Sequence, residues 1–231
     1  MLLKDRVILI TNVEKFAGYG TTRVALAQGA TVLAHDPAFE APSARRKYET
    51  QFQGAHALSA IEPATMVELA LKRHGHIDAL VNNDAFPALR APLGEARLED
   101  YRNALEAMAV APFHLAQLVA PSMRKRKSGR IVFVSSAAPL RGIANYAPYV
   151  SARAAANGLV SSLARELGRD GITVNAVGSN YVENPDYFPP ALLANRDAMA
   201  KMTAQIPLGR LGKADELGAA ICFLCSDGAG F

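Results

Sequence analysis

The chain has no tryptophan, only two cysteines and little net charge. Its 25 lysines and arginines against 21 aspartates and glutamates leave a net charge of +4, which is too small to indicate a nucleic-acid-binding protein. The cysteines, Cys222 and Cys225, lie in an apolar helix-like segment with no second cysteine pair and no histidine partner. We therefore expect buried free thiols, no metal site and a reducing, cytoplasmic compartment.

The sequence also lacks a signal peptide and an apolar run of the roughly 20 residues that a membrane-spanning helix needs. Its first apolar run has no cleavage site after it and predicts a buried strand. The one strongly basic run, residues 124–127, precedes Ser128 and Gly129. Cations at that position favour the carboxyl end of a long helix over a nucleic-acid-binding patch. We expect neither a membrane nor a nucleic acid as partner.

Strand-like apolar runs alternate with helix-like segments along the chain. The predicted strands are 6–11, 31–36, 55–59, 77–83, 130–136 and 172–178; the predicted helices are 19–29, 43–53, 63–75, 97–127, 146–169 and 213–226, with an irregular insert over 181–207. This repeated order predicts an α/β fold, a doubly wound parallel sheet in three layers, as a single Rossmann-like domain over residues 1–231. Such folds bind ligands at the carboxyl ends of their strands.

Three polar residues at the end of the fifth predicted strand and after it have a spacing that indicates a catalytic site. Ser136 ends that strand, Tyr149 follows thirteen residues later, and Arg153 follows four residues after Tyr149. Residues four apart share a helix face, so the phenol and the guanidinium can point into one site beside the serine hydroxyl. A nearby cation lowers the pKa of a phenol, which makes Tyr149 a candidate general base for a substrate hydroxyl held by Ser136. Taken alone, the pattern also fits a surface helix after a strand that ends in serine.

The spacing resembles the short-chain dehydrogenase/reductase superfamily, whose triad is serine, tyrosine and lysine. In its nicotinamide-binding members the turn after the first strand reads Thr-Gly-x3-Gly-x-Gly. Here Asn12 and Phe16 replace the first two glycines and only Gly18 remains, so we expect no dinucleotide cofactor. Asp36 matches the acid that reads a ribose in NAD enzymes, and we interpret it as a relic or a loop cap.

Arginine in the triad and a filled cofactor turn are together similar to the halohydrin dehalogenases. The resemblance runs from Val7 to the final helix and includes the Gly-Ser-Asn-Tyr-Val loop at 178–182. It implies that Tyr149, kept partly ionised by Arg153, deprotonates a vicinal haloalcohol, whose alkoxide displaces the neighbouring halide to give an epoxide. It also implies the reverse reaction, in which small anions such as azide, cyanide or nitrite open an epoxide.

The resemblance further implies which residues bind halide and pass on the proton. The candidates for the halide and substrate walls are Phe16, Phe86, Gly178, Ser179, Asn180 and Tyr181. Ser179 replaces a proline of some relatives, which leaves the halide preference open. Asp84 matches an acid that helps to pass the proton to solvent, and the alternative is a loop carboxylate that caps backbone N–H groups. Tyr146 lacks the serine spacing and is not the predicted base.

Small residues along 146–169 predict close packing, either on the sheet or between subunits. Because the superfamily pairs helices 97–127 and 146–169 across a two-fold axis, the resemblance implies a homodimer or homotetramer. Superfamily members normally continue beyond a segment like the one that ends at Phe231. We therefore expect the chain to be truncated or to lack its last strand, which puts its stability and activity in question.

Two other functions stay open at this point. One is a divergent NAD(P)-dependent oxidoreductase that uses Tyr149 and Arg153, and it predicts nicotinamide binding. The other is a catalytically silent scaffold or ligand-binding subunit with a relic triad. It predicts that the Tyr149→Phe variant leaves function unchanged.

Overall fold

The computed structural model describes residues 1–59, 62–184 and 187–231. Its six strands are β1 (Val7–Ile10), β2 (Thr31–Ala34), β3 (Ala55–Ala57), β4 (Ala79–Asn82), β5 (Gly129–Ser136) and β6 (Ile172–Ser179). All are parallel, in the order β3-β2-β1-β4-β5-β6. The chain changes direction of winding between β1 and β4, so the ligand crevice lies over their carboxyl ends.

Helices cover both faces of this sheet. They are α1 (Gly18–Ala27), α2 (Pro42–Gln51), α3 (Pro63–His74), α4 (Leu98–Leu105), α5 (Ala111–Arg126), α6 (Ala138–Arg141), α7 (Ala147–Leu167), α8 (Pro190–Ala194), α9 (Arg196–Thr203) and α10 (Ala214–Leu224). Short 3-10 turns occupy Pro37–Glu40, Gly168–Asp170 and Asp227–Ala229.

Successive residues of β1 show why the fold has three layers. Ile8 and Ile10 pack in the core that α1, α2 and α10 cover, whereas Val7 and Leu9 pack in the core that α3, α5 and α7 cover. All four side chains are buried. Parallel strands buried on both faces appear in the sequence as continuous apolar runs, and such runs predicted the strands of this sheet. The predicted doubly wound parallel α/β fold is confirmed.

Close approach of backbone to backbone fixes the position of α1. A Cβ atom at Gly18 would lie 2.2 Å from the carbonyl oxygen of Val13, and one at Gly20 would lie 2.3 Å from that of Ala214. Only glycine therefore fits at these positions without movement of the backbone. The result is that the amino end of α1 sits directly on the turn that follows β1.

The predicted helix 97–127 is divided by a π-helical segment, Glu106–Val110. Pro112 follows it and has no N–H group, so the α-helical hydrogen bond to the carbonyl of Met108 cannot form.

The short helix α6 was missed because four residues carry no periodic signal. The predicted irregular insert contains α8 and α9, and its residues 185–186 lie outside the described part of the chain.

Leu98–Arg126 is long and apolar enough to pass a composition test for a membrane-spanning helix, with a mean hydropathy of 1.2. The segment passes by length and composition only, since charged residues such as Glu99, Asp100 and Arg102 interrupt its apolar residues. Core helices pass the same test, and 44% of the window is buried, with Leu115, Val119 and Met123 packed on the sheet. At its end, Arg124 pairs with Glu166, as expected for the solvated end of a helix.

Cys222 and Cys225 are buried free cysteines, as predicted. Burial raises the pKa of the Cys222 thiol to about 12, which leaves it protonated and unreactive near neutral pH. Within the described ranges, no group of three or more histidine, cysteine, aspartate or glutamate side chains could hold a metal ion.

Candidate active site

Ser136, Tyr149 and Arg153 meet at the carboxyl end of β5. Ser136 is the last residue of β5, and α7 carries Tyr149 in its first turn and Arg153 one turn later. The Tyr149 hydroxyl lies within hydrogen-bonding reach of both other side chains. Arg153 is 1% exposed, and its guanidinium carbon lies 5.4 Å from the centre of the Tyr149 ring. The structure therefore brings the three predicted residues together.

Backbone carbonyl groups hold the Arg153 guanidinium in place. Its Nη1 atom donates to the carbonyl oxygens of Val134 at 2.7 Å and Asp84 at 3.0 Å. Its Nε and Nη2 atoms are buried and have no acceptor of good hydrogen-bond geometry among the described residues. A buried cation in this situation is stabilised by a nearby anion, and an ionised Tyr149 supplies one.

Opposing influences act on the pKa of Tyr149. Burial, the largest single influence, raises it because a phenolate is poorly stabilised away from water. The positive charge of Arg153 lowers it, and the nearby polar side chains of Ser136, Arg153 and Tyr187, which can stabilise a phenolate, lower it further. Together they bring the pKa of Tyr149 below its ordinary value. A phenol in this state is suited to accept a proton from a bound hydroxyl group.

Asp84 connects Arg153 to the turn after β1. Its Oδ1 atom accepts hydrogen bonds from the Thr11 hydroxyl at 3.1 Å and from Asn12 Nδ2 at 2.6 Å. Its Oδ2 atom is buried without a partner among the described residues. Burial raises the pKa of Asp84 to about 6, although these hydrogen bonds and the charge of Arg153 oppose the change. Asp84 thus gains and loses its proton close to neutral pH.

The turn after β1 keeps the backbone conformation of a glycine loop but fills its space. Asn12, with φ of 48°, and Phe16, with φ of 38°, adopt the left-handed conformation that glycine normally supplies. The Asn12 side chain bonds Asp84, and the Phe16 ring meets Tyr187 edge-on with the ring centres 5.8 Å apart. Two positions at which a dinucleotide-binding turn has glycine therefore carry side chains, which disfavours the close approach of a pyrophosphate to this backbone.

Asp36 serves as a loop cap. Its Oδ1 atom accepts a hydrogen bond from the backbone N–H of Ala38 at the start of a 3-10 turn, and its Oδ2 atom accepts one from Glu14. Both carboxylate oxygens are thus engaged by the protein's own backbone. Of the two interpretations of Asp36 from the sequence, the structure supports the cap.

A cavity of about 190 Å³ opens beside Ser136 and Tyr149. Four of the predicted wall residues line it, namely Phe16, Ser179, Asn180 and Tyr181. Gly178 and Phe86 are not among its described lining residues. Gly178 pairs with Ser135 inside the sheet, and Phe86 lines a neighbouring cleft of about 810 Å³. Phe86 packs in one cluster with Tyr149, so it remains beside the site without lining this cavity.

The segment after β5 brings a cation to the cavity that the sequence did not indicate, and this cation contacts the loop after β6. Arg141, in α6, lines the cavity and donates from Nη2 to the side-chain oxygen of Asn180 at 3.3 Å. Tyr181 has φ of 54°, and its hydroxyl lies 3.2 Å from the side-chain oxygen of Gln205, to which it donates. One wall of the cavity therefore combines a positive charge with aromatic surface, which suits a large anion.

Tyr187 is the main site residue that sequence reasoning missed. It lies in the insert, where no motif or periodicity marks it. Its ring meets that of Tyr149 with the centres 6.3 Å apart, and its hydroxyl reaches both Tyr149 and Arg153. Burial raises the pKa of Tyr187, and the nearby Tyr149 oxygen raises it further. Tyr187 therefore stays protonated and can donate a hydrogen bond to an ionised Tyr149.

Comparisons with known proteins identify the superfamily of the chain. A family model described as enoyl-(acyl carrier protein) reductase matches residues 16–231. The 3-oxoacyl-[acyl-carrier-protein] reductase FabG of Thermotoga maritima is 31% identical, over 98% of this chain and 93% of its own length. These matches show membership of the short-chain dehydrogenase/reductase superfamily.

Solved structures narrow the assignment. One described as a dehalogenation enzyme is 90% identical with a TM-score of 0.98, and the match covers all of this chain and 95% of that one. The halohydrin dehalogenase HheC, solved with ethyl (2S)-oxiran-2-ylacetate, is 34% identical with a TM-score of 0.93, over 97% of this chain and 91% of its own. The chain belongs to the halohydrin dehalogenase family. The resemblance drawn from the triad, the filled turn and the 178–182 loop is thereby confirmed.

Proposed function

We propose that the chain is a cofactor-independent halohydrin dehalogenase, which converts vicinal haloalcohols into epoxides and halide. One observation carries the proposal: Tyr149, whose pKa is lowered, lies between Ser136 and Arg153 and lines the cavity. Phe16, from the turn after β1 where a cofactor-binding relative has glycine, lines the same cavity. The likeness to a dehalogenation enzyme and to a halohydrin dehalogenase solved with an oxirane supports the same reaction class.

In this mechanism Ser136 and Tyr149 hydrogen-bond the substrate hydroxyl. The Tyr149 phenolate takes the hydroxyl proton as the oxygen attacks the neighbouring carbon. The carbon–halogen bond breaks and the halide leaves with the bonding electron pair, so each turnover yields one epoxide, one halide and one proton. The nucleophile belongs to the substrate, so proximity is already present, and the protein's task is proton removal and stabilisation of the leaving group.

The halide is placed against the wall formed by Phe16, Asn180 and Tyr181, with Arg141 as the nearby positive charge. In the reverse direction a small anion such as azide, cyanide or nitrite occupies the same wall and opens an epoxide. Tyr149 then returns the proton to the new alkoxide. Asp84 receives the proton from the triad, a role supported by the raised pKa of its buried carboxyl group and by the nearby charge of Arg153.

The direct test is halide release from 1,3-dichloro-2-propanol with no nicotinamide added. We expect release by the wild type and a loss of at least about 100-fold in Tyr149→Phe, because general bases contribute factors of this size. Tyr101→Phe is the matched control, since Tyr101 lies in α4 and outside the described lining of the active-site cavity. Release that persists in Tyr149→Phe would refute the role of the base and favour a silent triad.

Cofactor independence has its own test. Because Asn12 and Phe16 fill the turn, titration with NADH or NADPH should show no saturable change in nucleotide fluorescence. Saturable binding at micromolar concentration would overturn the proposal and favour the oxidoreductase alternative, which the superfamily relatives make the natural competitor.

We also infer a homodimer or homotetramer that pairs α4, α5 and α7 of two copies. Val110 and Phe113 are 49% and 40% exposed, and both line a shallow apolar cavity together with Gly158 and Leu159 of α7. Burial of this surface favours association. Light scattering should show a multimer for the wild type and a lower mass for Phe113→Glu, and a monomeric wild type would contradict the inference.

We infer a cytoplasmic location from the two buried free thiols, Cys222 and Cys225, because such thiols are typical of reducing compartments. Fractionation of the producing cells tests it. Recovery of the protein outside the cytoplasmic fraction would contradict it.

A further inference from the structure

The cleft of about 810 Å³ that Phe86 lines has no role in the proposed reaction. It lies at the carboxyl ends of three strands, because Asn12 follows β1, Asp36 follows β2 and Ala85 follows β4. This is the crevice in which doubly wound folds bind their ligands. Side chains at the two glycine positions of the turn disfavour a dinucleotide there, so the crevice fits a ligand of another kind.

The cleft adjoins the catalytic cavity. Three residues, Ala88, Tyr146 and Tyr187, line both spaces, and all three are half-buried. The side chain of Ala88 is only a methyl group, so the shared boundary is narrow on that side. A molecule held at Tyr149 can therefore extend across this boundary into the cleft.

The two spaces differ in size. The catalytic cavity, at about 190 Å³, is smaller than the roughly 300–1,000 Å³ of typical ligand sites, whereas the cleft falls within that range. The small cavity suits the reacting carbons, the hydroxyl group and the halide. A large substituent on the carbon that bears the hydroxyl group needs further space, which the adjoining cleft supplies.

The lining of the cleft favours an apolar, aromatic group. Its apolar residues outside the two tyrosines are Pro37, Ala38, Ala85, Phe86, Pro87 and Ala88. Asp36 is only 4% exposed, and its two carboxylate oxygens accept hydrogen bonds from backbone N–H groups. The side-chain amide of Asn12 donates to Asp84. The rings of Phe86, Tyr146 and Tyr187 can pack against a flat ligand.

The far end of the cleft is preformed. The Asp36 carboxylate binds the N–H groups of Glu14 and Ala38, each at 3.0 Å, and so joins the 3-10 turn Pro37–Glu40 to the turn after β1. Asn83 Nδ2 donates to the carbonyl oxygens of Asn12 and Lys15, each at 2.9 Å. A ligand that enters this end has little backbone to order, which favours binding.

We propose that this cleft is the subsite for the substituent of the substrate, and that the enzyme prefers vicinal haloalcohols and epoxides with an extended aryl ether substituent. The proposal rests on the proposed function, because the chemistry at Tyr149 is the same. The reacting carbons stay in the catalytic cavity, and the first ring lies against Phe86, Tyr146 and Tyr187. A second ring reaches Ala38 at the far end.

The first experiment needs no turnover. The chain has no tryptophan, so Phe86→Trp introduces a single fluorescent reporter into the cleft. The ligand 1-(4-nitrophenoxy)-2-propanol has no halogen and cannot react, and it should quench this fluorescence saturably. Phe223→Trp, at an exposed residue of α10 outside the described lining of the cleft, is the matched control and should show only quenching proportional to concentration. Quenching that does not saturate in Phe86→Trp, or that saturates equally in both variants, would overturn the proposal.

The second experiment compares kcat/KM for halide release from three substrates of increasing length. They are 1-chloro-2-propanol, 1-chloro-3-phenoxy-2-propanol and 1-chloro-3-(4-phenylphenoxy)-2-propanol. For the wild type we expect a gain of at least about 10-fold from the first to the second, mainly through a lower KM, because burial of an aromatic ring is favourable.

Ala38→Trp tests the far end of the cleft. Ala38 lies outside the described lining of the catalytic cavity, so a bulky side chain there leaves the triad in place. The ratio of kcat/KM for the two-ring substrate to that for the one-ring substrate should fall about 10-fold. Glu40→Trp, at an exposed residue of the same 3-10 turn outside the described lining of the cleft, is the matched control and should keep the wild-type ratio.

A wild type that prefers the smallest substrate, or an Ala38→Trp variant with the wild-type ratio, would overturn the subsite. Absence of halide release from all three substrates would instead contradict the proposed function. The fluorescence titration would then still report whether the cleft binds an aryl ether, so the two failures are distinguishable.

Discussion

The turn after β1 and the start of α7 lie at the same edge of one sheet, and they depart from the dinucleotide-dependent pattern in opposite ways. At the turn the backbone conformation is kept, since Asn12 and Phe16 hold positive φ values, but side chains fill the space. At α7 the tyrosine and a cation one turn later are kept, with arginine at Arg153 in place of the superfamily's lysine. Cofactor binding needs empty volume and can be lost by filling it, whereas proton transfer needs only a few side chains at one strand end.

Asp84 shows that the filled turn also contributes to the chemistry. The side chain of Asn12 donates to the same carboxylate whose residue accepts from Arg153 through its backbone. The residue that replaces a glycine therefore helps to set the charge of a group beside the triad. Asn12 thus takes a glycine position of the turn and also hydrogen-bonds a carboxyl group beside the triad.

The largest expected effect comes from removal of the triad's cation. In Arg153→Met, burial of Tyr149 is no longer opposed by a positive charge, so its pKa rises and the increase of activity with pH moves to higher pH. At neutral pH we expect a loss of about 100-fold to 1000-fold in kcat/KM for halide release.

Arg153→Lys is the matched variant, because it keeps a cation but cannot reproduce the double hydrogen bond of Nη1 to the carbonyls of Val134 and Asp84. We expect activity between that of Arg153→Met and the wild type. If both variants kept the wild-type pH profile, Arg153 would not lower the pKa of Tyr149. The proposed difference between α7, which supplies acid–base side chains, and the turn after β1, which is filled, would then be unsupported.

The next effect is on stability and concerns Asp84. Its pKa is about 6 in the folded protein against 3.8 for a solvated aspartate, so the folded state binds this proton more tightly. Wild-type stability therefore falls as the pH rises from about 4 to above 6, by about 3 kcal/mol in total. The stability of Asp84→Asn should not fall in this way, because asparagine has no proton to lose over this pH range.

Urea unfolding at several pH values tests this difference. The free energy of unfolding of Asp84→Asn relative to wild type should increase by about 3 kcal/mol between pH 4 and pH 7. Asp197→Asn, at an exposed aspartate in α9, is the control and should show a nearly constant difference. A constant difference for Asp84→Asn as well would mean that its carboxyl group is not held in a buried, weakly solvated environment.

Much of this comparison was accessible from the sequence because its parts are local. Ser136 ends an apolar strand, and Tyr149 and Arg153 share one helical turn, so their spacing carries the geometry. Tyr187 and Arg141 were missed because they reach the cavity only through the fold of the segments around them. The position of Phe86, in the cleft next to the cavity, was not accessible for the same reason, since the path of the loop after β4 depends on tertiary packing.

A smaller effect tests the backbone of the turn. The added Cβ of Gly18→Ala would lie 2.2 Å from the carbonyl oxygen of Val13, so α1 or the turn must shift. We expect a loss of about 1–3 kcal/mol in the free energy of unfolding. Gly168→Ala is the control, because nothing lies within 4 Å of its added Cβ, and it should be neutral or slightly stabilising. Equal effects of the two would show that close packing does not maintain the turn.

The smallest effect concerns Tyr187, whose ring contacts Phe16 of the turn and Tyr149 of α7. Tyr187→Phe keeps both ring contacts and removes only the hydroxyl that donates to Tyr149. A net hydrogen bond of about 1 kcal/mol corresponds to about a 5-fold loss of activity below the midpoint of the pH profile, with recovery at higher pH as Tyr149 ionises.

Tyr181→Phe is the control for this variant, because the Tyr181 hydroxyl donates to Gln205 instead, and it should leave the midpoint in place. A change in KM for Tyr187→Phe with an unshifted midpoint would assign Tyr187 to packing alone. The lowered pKa of Tyr149 would then depend on Ser136 and Arg153, and the turn and α7 would be joined only through Asp84.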